Sequence, residues 1–214
     1  MGRLLSLVSL LVLLWSCGEL HSQHLEVQLG GGVGETYLVE QNEARDVNFN
    51  RTAVVFGAIK LMPDSSYFNL KLLFQYVSSR VNGEDWEGKS NTYDFRGLPI
   101  GVSTLEGEVS SITSFLVLEH LSQDKKFNLG YDIGIGFTKE RLVRSSNNDA
   151  EFRSFASFRL GGIASYSFGK RSRISFEPSI YWTDIVNSFR PENYKLAGED
   201  VSLLFNLGYS YRLF

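Results

Sequence analysis

The fold class follows most directly from the C-terminal stretch Val201-Ser-Leu-Leu-Phe-Asn-Leu-Gly-Tyr-Ser-Tyr-Arg-Leu-Phe214. Apolar and polar residues alternate along it with a period of two, which is the pattern of a β-strand with one apolar face. That face consists of Val201, Leu203, Phe205, Leu207, Tyr209, Tyr211 and Leu213. The opposite face carries Ser202, Asn206, Ser210 and Arg212. Because the apolar face becomes aromatic towards the chain end, the pattern predicts a lipid-facing strand that closes a barrel.

The end of this stretch resembles the last strand of Gram-negative outer-membrane β-barrels, which the barrel-assembly machinery recognises. That strand has a polar residue, a Gly two positions later, and two aromatic or apolar residues three and five positions after the Gly. Asn206, Gly208, Tyr211 and Leu213 match this spacing, whereas the aromatic Phe214 lies one residue beyond it on the opposite parity. The resemblance implies that these residues form the assembly signal. An edge strand of a soluble β-sandwich stays open as the alternative for this stretch taken alone.

The N-terminal residues have the features of a secretory signal peptide. Arg3 supplies a positive charge, and residues 4–15 form an apolar run interrupted only by serines. This run is too short to cross a bilayer as a stable helix. Small residues allow cleavage after Gly18 or after Ser22. We take residues 1–22 as the signal peptide and residues 23–214 as the mature domain.

Cys17, the only cysteine of the chain, lies inside this signal. Cleavage after Ser22 leaves an exported protein with no thiol, hence no disulfide and no cysteine-based metal site. A second interpretation stays open, because Leu14-Trp15-Ser16-Cys17 resembles a lipobox in which Cys17 becomes lipidated. The bulky Trp15 departs from that motif.

Composition favours a membrane barrel over a soluble enzyme. Aromatic residues make up 14% of the chain and Gly contributes 20 residues, yet the mean hydropathy is only -0.10. A transmembrane barrel gives such values because its apolar residues are distributed by alternation and not in runs. The net charge of -3 provides no basic field that would attract nucleic acid. The length predicts one domain.

The remaining sequence completes an all-β, eight-stranded antiparallel up-and-down transmembrane barrel. The predicted strands span residues 25–37, 52–62, 67–80, 109–121, 127–139, 152–168, 173–185 and 201–214. Parity is unclear in the second strand, where Val54 and Phe56 share a face with Lys60, and in the fourth strand around Phe115. Pro178 in the seventh strand indicates a bulge or a shifted count.

Long polar connections alternate with tight turns. The long connections are residues 40–51, 82–108, 141–150 and 187–200, and the short ones are residues 63–66, 122–126 and 169–172. Outer-membrane barrels have this asymmetry, with long loops outside the cell and short turns in the periplasm. The pattern therefore places both termini on the periplasmic side.

Within the predicted spans the outward face is nearly free of charge, whereas the inward face carries eight charged residues. They are Glu26, Lys60, Lys71, Asp132, Arg153, Arg159, Glu177 and Arg212. Eight strands enclose an interior that side chains can fill, and mixed charges offset the cost of burial. The pattern predicts an interlocked, side-chain-plugged lumen. A narrow pore, as an ion pathway along these residues, stays open as an alternative.

The sequence offers little support for catalysis. Small barrels resembling PagL or PagP modify lipid A, and such hydrolases need a Ser and His within hydrogen-bond reach. After signal removal only His24 and His120 remain, and neither has a serine at a suggestive spacing. We expect a non-enzymatic protein with no cofactor and no metal. A soluble lipocalin-like carrier, with the apolar parity turned inward, is the runner-up from another class.

The whole mature chain resembles the small outer-membrane β-barrel family that includes OmpA-like, OmpX-like and PorT-like domains. The resemblance implies an integral structural or surface-interaction protein of the outer membrane, with outer-membrane lipid around it and a monomeric state. An extracellular or secretion-system protein is the expected partner, since PorT-like barrels are secretion accessories. The candidate partner loop carries Trp86, Tyr93 and Phe95, and residues 189–194 are a second candidate.

Overall fold

The computed structural model describes residues 23–37, 49–63, 68–81, 91–93, 99–102, 107–121, 126–144, 150–183 and 201–213. The predicted signal peptide, Phe214, Trp86, Phe95 and residues 189–194 lie outside these ranges. Within the described ranges no helix is long and apolar enough to cross a membrane.

The described residues form ten strands. They are β1 (Gln23–Tyr37), β2 (Phe49–Pro63), β3 (Phe68–Val81), β4 (Asn91–Tyr93), β5 (Pro99–Val102), β6 (Gly107–Leu121), β7 (Phe127–Arg144), β8 (Ala150–Phe168), β9 (Ser172–Trp182) and β10 (Val201–Arg212). Eight of them close into one barrel in the order β1-β10-β9-β8-β7-β6-β3-β2, and β4 pairs only with β5. Neighbouring barrel strands are antiparallel throughout. The predicted eight-stranded up-and-down barrel is confirmed.

The register fixes the tilt of the strands. It can be followed once around the barrel through Glu26, Lys60, Lys71, Val117, Gly134, Arg159, Tyr181, Ser202 and Thr36. This path returns to β1 ten residues beyond its start, which is the shear of the barrel. With strands about 4.7 Å apart and about 3.3 Å per residue, eight strands at this shear tilt by about 41° around a radius of about 8 Å.

The two ends of the barrel differ in their connections. We call the end that contains Gln23, Leu213 and the connections 64–67, 122–126 and 169–171 the turn end. The loop end contains the connections 38–48, 82–106, 145–149 and 183–200. The backbone N–H of Leu213 donates to the carbonyl of Leu25 at 2.8 Å, so the start of β1 and the residue after β10 meet at the turn end.

Strand lengths differ from the prediction mainly at the loop end. β7 and β8 contain 18 and 19 residues, so much of the predicted loop 141–150 is a continuation of this hairpin. β2 likewise begins at Phe49, inside the predicted loop 40–51, while β9 ends at Trp182 and not at residue 185. Polar residues extend the hairpin because antiparallel backbone pairing continues beyond the apolar part of each strand.

Pro178 causes no bulge. The pairing of β9 with β10 runs through it, with Pro178 opposite Phe205. On the other side the ladder is interrupted between the pairs Gly161–Ser179 and Ala164–Phe176, yet the register is the same on both sides of the gap. Proline has no N–H to donate, so the ladder between β8 and β9 is interrupted at Pro178. The register of these two strands does not shift.

Candidate functional site: the barrel lumen

The structure shows which residues of β6 face the lumen, a point that the sequence pattern leaves open. Ile112, Leu116 and Leu118 are exposed, whereas Phe115 and Val117 are buried inside the barrel. β2 follows the same rule, since Val54 and Phe56 are buried and Val55 is exposed. Apolar residues therefore occupy both faces of these two strands, which is why alternation alone could not assign them.

Eight inward charged side chains form a connected charged network in the half of the lumen nearer the turn end. Its members, from seven strands, are Glu26, Lys60, Lys71, Glu119, Asp132, Arg159, Arg173 and Glu177. Each of them is at most 5% exposed. The inward parity of the strands, together with the shear, brings these residues from distant parts of the chain to one level.

Lys71 lies at the centre of the charged network. Its Nζ lies 3.3 Å from Glu119 Oε2, 3.3 Å from Asp132 Oδ2 and 3.2 Å from Glu177 Oε2. These three carboxylates come from β6, β7 and β9, so one ammonium group links three strands other than its own. A compact cation with three donors suits this position, because each donor can face a different carboxylate.

Two branches extend the charged network from this centre. Arg159 Nε lies 3.2 Å from Asp132 Oδ1, and Arg159 Nη2 lies 3.7 Å from Glu177 Oε2. On the other side Lys60 Nζ lies 3.0 Å from Glu119 Oε2 and 3.7 Å from Glu26 Oε1. A continuous series of ion pairs therefore connects β8 to β1.

Neutral side chains supply further hydrogen bonds to the charged network. Gln28 Nε2 donates to Glu177 Oε1 at 2.5 Å and to Ser175 Oγ at 2.9 Å. Arg159 Nη1 donates to Ser179 Oγ at 3.0 Å and to Gln75 Oε1 at 3.4 Å. Buried charge is tolerated when partners of opposite sign and hydrogen bonds replace water. The network as defined contains four carboxylates and four cations, so its formal charge is zero.

An apolar layer fills the lumen next to the charged network. It consists of Val54, Phe56, Ala58, Leu73, Val77, Phe115, Val117, Tyr181 and Leu204. The ring of Phe115 meets that of Tyr181 edge-on at 5.6 Å between centroids. Gly30 on β1 makes room for Phe56, whose ring occupies the place where a side chain at position 30 would lie.

Hydroxyl groups occupy the lumen at the loop end. Thr36 Oγ1 lies 2.7 Å from Thr52 Oγ1 and 2.8 Å from Ser202 Oγ. A second set joins the Tyr181 hydroxyl to Thr113 at 2.8 Å and to Thr138 at 2.9 Å. A cavity of about 20 Å³ lies among these groups, lined by Thr36, Val77, Ser79, Val109, Ser111, Glu140, Tyr181, Thr183 and Ser202.

The structure brings together six of the eight charged residues that the sequence places in the lumen. They are Glu26, Lys60, Lys71, Asp132, Arg159 and Glu177. Arg212 lies at the turn-end mouth with an intermediate exposure, and Arg153 lies on β8, but its side chain is outside the described set. Sequence reasoning missed Glu119 and Arg173. The parity of β6 was unresolved, and Arg173 stands beside the predicted turn 169–172.

The outer surface is apolar across the middle of the barrel. Among the described residues, outward Asp, Glu, Lys and Arg on the strands occur only towards the loop end, at Glu35, Arg51, Arg80, Glu108, Lys139 and Arg141. Leu29, Ile135 and Leu207 are each more than 60% exposed. On β7 the uncharged outward segment from Phe127 to Phe137 spans about 25 Å along the axis at the tilt given above. This distribution contradicts the lipocalin-like alternative, which needs the apolar face inside.

The assembly-signal residues divide between the two faces of β10. Asn206 is buried in the lumen, whereas Tyr211 and Leu213 are exposed. Gly208 faces inward, where a Cβ would lie 2.5 Å from Gln28 Nε2. Of the candidate partner loop, Tyr93 ends β4 in the β4–β5 hairpin.

His120 lies on the outer face near the turn end and not in open solvent. Its ring stacks on Tyr131 at 5.0 Å and meets Phe68 at 5.2 Å. The described residues contain no group of three or more His, Cys, Asp and Glu that could hold a metal ion.

Similarity to known proteins is found among solved structures. No family model and no curated protein matches the sequence. Among solved structures, Neisserial surface protein A superposes with a TM-score of 0.51 at 4% identity, covering 87% of this chain and 96% of that chain. A major outer membrane protein from Thermus thermophilus gives a TM-score of 0.48 at 11% identity, covering 88% and 99%. The N-terminal β-barrel domain of Pseudomonas aeruginosa OprF gives 0.44 at 10% identity, covering 90% and 98%.

The closed eight-stranded sheet and the likeness to Neisserial surface protein A establish the fold. The uncharged outer band fits a hydrocarbon environment, because monomeric soluble proteins rarely expose so large a contiguous apolar surface to water. This chain has the fold of a closed eight-stranded β-barrel, with an uncharged outer band that suits an integral membrane protein.

Proposed function

We propose that this protein is a structural or surface-interaction barrel whose lumen is closed to solutes and whose loop end contacts a partner outside the cell. The observation that carries the proposal is the charge-balanced network, which crosses the lumen from β8 to β1 with its members nearly fully buried. A solute that passed along this path would have to separate buried ion pairs, and no water would solvate the separated charges. The cost would be several kcal/mol per charge.

The apolar layer supports closure independently. Phe56, Phe115 and Leu204 lie directly beyond the charged network and are at most 5% exposed. An ion that reached this layer would lose its hydration without gaining polar ligands. The cavity of about 20 Å³ at the loop end holds about one water molecule, which is far less than a diffusion pathway needs.

The loop end supports the interaction role. It carries the long connections, including the β4–β5 hairpin within residues 82–106. The β7–β8 hairpin extends farther, since the pairing continues to Val143 and Ala150, well past the outermost β8–β9 pair, Phe158–Trp182. We propose that Trp86, Tyr93 and Phe95 in this connection contact an extracellular or secretion-system protein, and that the barrel is a monomer.

The proposal includes no catalytic step. His120 packs against Tyr131 and Phe68 on the outer face, at the end of the barrel opposite the long connections. A general base must lie within hydrogen-bond reach of a nucleophile in a site that substrate can enter. The position of this ring between two aromatic residues supports an interfacial packing role instead.

Solute flux tests the closed lumen. The folded barrel is reconstituted into liposomes and compared with a sixteen-stranded porin at equal protein content. We expect no swelling in a small sugar and no steady conductance in planar bilayers. Permeation of the sugar would overturn the proposal, and a steady ion current without sugar permeation would assign the narrow-pore function instead.

Site-specific crosslinking tests the loop-end contact. A photoreactive amino acid is placed at Tyr93, and for comparison at Lys126, which is exposed at the turn end. We expect a discrete crosslinked protein from position 93 in intact cells and none at the same mass from position 126. The same product from both positions, or none from position 93, would contradict the loop-end contact.

A further inference from the structure

The turn end carries a one-sided cluster of cations that neither the lumen nor the loop end explains. Lys126, Lys170 and Arg171 are exposed in the turns that flank β7, β8 and β9. Arg212, at the end of β10, is partly exposed beside them. We call these four residues the basic arc.

Two backbone hydrogen bonds hold the basic arc in one sector of the rim. The N–H of Ser167 donates to the carbonyl of Lys126 at 2.7 Å, which fixes the β6–β7 turn against the end of β8. The N–H of Arg212 donates to the carbonyl of Arg171 at 2.8 Å. The four cations therefore belong to adjacent strand ends and not to scattered positions around the barrel.

The positive charge of the basic arc has no exposed acidic partner in the part of the chain that the structure describes. At the loop end, by contrast, exposed Glu35 and Glu108 stand among the cations. The carboxylate of Glu26 faces inward, where Lys60 and Arg173 lie 3.7 and 3.8 Å from it. Within the described residues no exposed carboxylate therefore neutralises the exposed charges of the basic arc.

Aromatic rings border the basic arc on its membrane side. Phe127, Tyr166, Phe168 and Tyr209 are all more than 40% exposed on the outer face. Phe168 contacts Tyr209 at 6.2 Å between ring centroids. Exposed aromatics followed by lysines and arginines at the end of an apolar band mark the depth of lipid head groups.

We propose that the basic arc is a binding site for the phosphates of anionic phospholipids in the leaflet that surrounds the turn end. Guanidinium and ammonium groups bind phosphate oxygens through charge-assisted hydrogen bonds, and each basic residue near an anionic leaflet adds to the attraction. The site anchors one side of the barrel and selects the lipids that adjoin it. It does not depend on whether the lumen is closed.

Lipid titration of the folded barrel in detergent, followed by native mass spectrometry, tests this site. Phosphatidylglycerol is the anionic probe and phosphatidylcholine the neutral one. Since each cation is worth about a factor of five in binding, we expect the variant K126Q/K170Q/R171Q to bind phosphatidylglycerol about a hundredfold more weakly. Binding of phosphatidylcholine should not change.

The matched control is R51Q/R80Q/R141Q, which removes three exposed cations from the loop end. It should keep the preference for phosphatidylglycerol, and both variants should show the heat-modifiable gel migration of a folded barrel. Equal losses in the two variants, or no preference in the unaltered protein, would overturn the site. Displacement of phosphatidylglycerol by inorganic phosphate would reassign it to free anions.

Discussion

The two halves of the lumen join the strands of the barrel by different chemistry. Towards the turn end the strands are connected by ionised groups, of which Lys71 contacts three carboxylates. Towards the loop end they are connected by hydroxyls, such as Thr36 with Thr52 and Ser202. A hydroxyl is both donor and acceptor, so each group can rotate to satisfy a neighbour, whereas a carboxylate depends on cations held at fixed positions.

This difference teaches where the barrel is vulnerable. In the charged network the loss of one cation leaves carboxylates buried without compensation, which costs far more than the pair contributes. In the hydroxyl region the loss of one group leaves partners that still bond each other. The turn-end half should therefore respond to single substitutions much more strongly than the loop-end half, although both are equally buried.

Lys71→Met should give the largest effect. It removes the cation shared by the carboxylates of Glu119, Asp132 and Glu177, so the buried negative charge exceeds the positive charge. We expect a loss of about 3 to 5 kcal/mol in the free energy of unfolding. Urea titration in liposomes, read by the gel mobility of folded and unfolded protein, measures it. Lys139→Met is the control, because Lys139 is exposed and its Nζ lies over the Phe152 ring at 5.7 Å from the centroid. Its loss should stay near about 0.5 to 1 kcal/mol. Equal losses would refute the special position of Lys71.

Removal of both members of an ion pair distinguishes the effect of charge imbalance from the effect of the lost contact. Lys60 and Glu119 lie 3.0 Å apart, and we expect K60M/E119L to be less destabilised than the sum of its single variants by about 1 to 3 kcal/mol. The reason is that the double variant keeps the network neutral. Thr52→Val with Ser79→Ala, a pair of hydroxyls 2.8 Å apart, is the uncharged counterpart. Its coupling should be about 0.5 kcal/mol. Additive losses for the ionic pair would contradict the argument.

Strand parity was predictable from the sequence wherever one face was wholly apolar. The alternation in β7, with Leu129, Tyr131 and Ile133 outward, predicted the exposed face correctly. It failed in β6 because Phe115 and Val117 fill the lumen, so an interior that is part apolar removes the signal. The position of Glu119 in the charged network depended on this parity and could not be assigned.

The contacts inside the lumen depend on the shear, which no local pattern encodes. Lys71 and Glu177 are separated by 106 residues and lie on strands that are not neighbours in the sheet, yet their charged atoms are 3.2 Å apart. The alternation predicts that both point inward. Only the closure of the sheet with its ten-residue stagger places them at one level.

Thr36→Val measures a single group in the hydroxyl region. The substitution keeps the shape of the side chain but removes an oxygen that lies within 3.2 Å of Thr52, Ser79 and Ser202. We expect a loss of about 1 kcal/mol in the free energy of unfolding. Thr36→Ser retains the hydroxyl and should restore most of the hydrogen bonding, so its smaller loss identifies the oxygen as the cause. A loss as large as that of Lys71→Met would erase the contrast between the halves.

Tyr181→Phe should give the smallest effect, because the bonds around this hydroxyl remain intact without it. Thr138 Oγ1 still lies 2.7 Å from Thr113 Oγ1 and 2.6 Å from Ser157 Oγ, and the ring keeps its contact with Phe115. We expect a loss of about 0.5 kcal/mol in the same urea titration. Tyr181→Ala, which also removes the ring from the apolar layer, should cost about 3 to 5 kcal/mol. If the Phe variant lost as much as the Ala variant, the hydroxyl region would lack the tolerance that distinguishes it from the charged network.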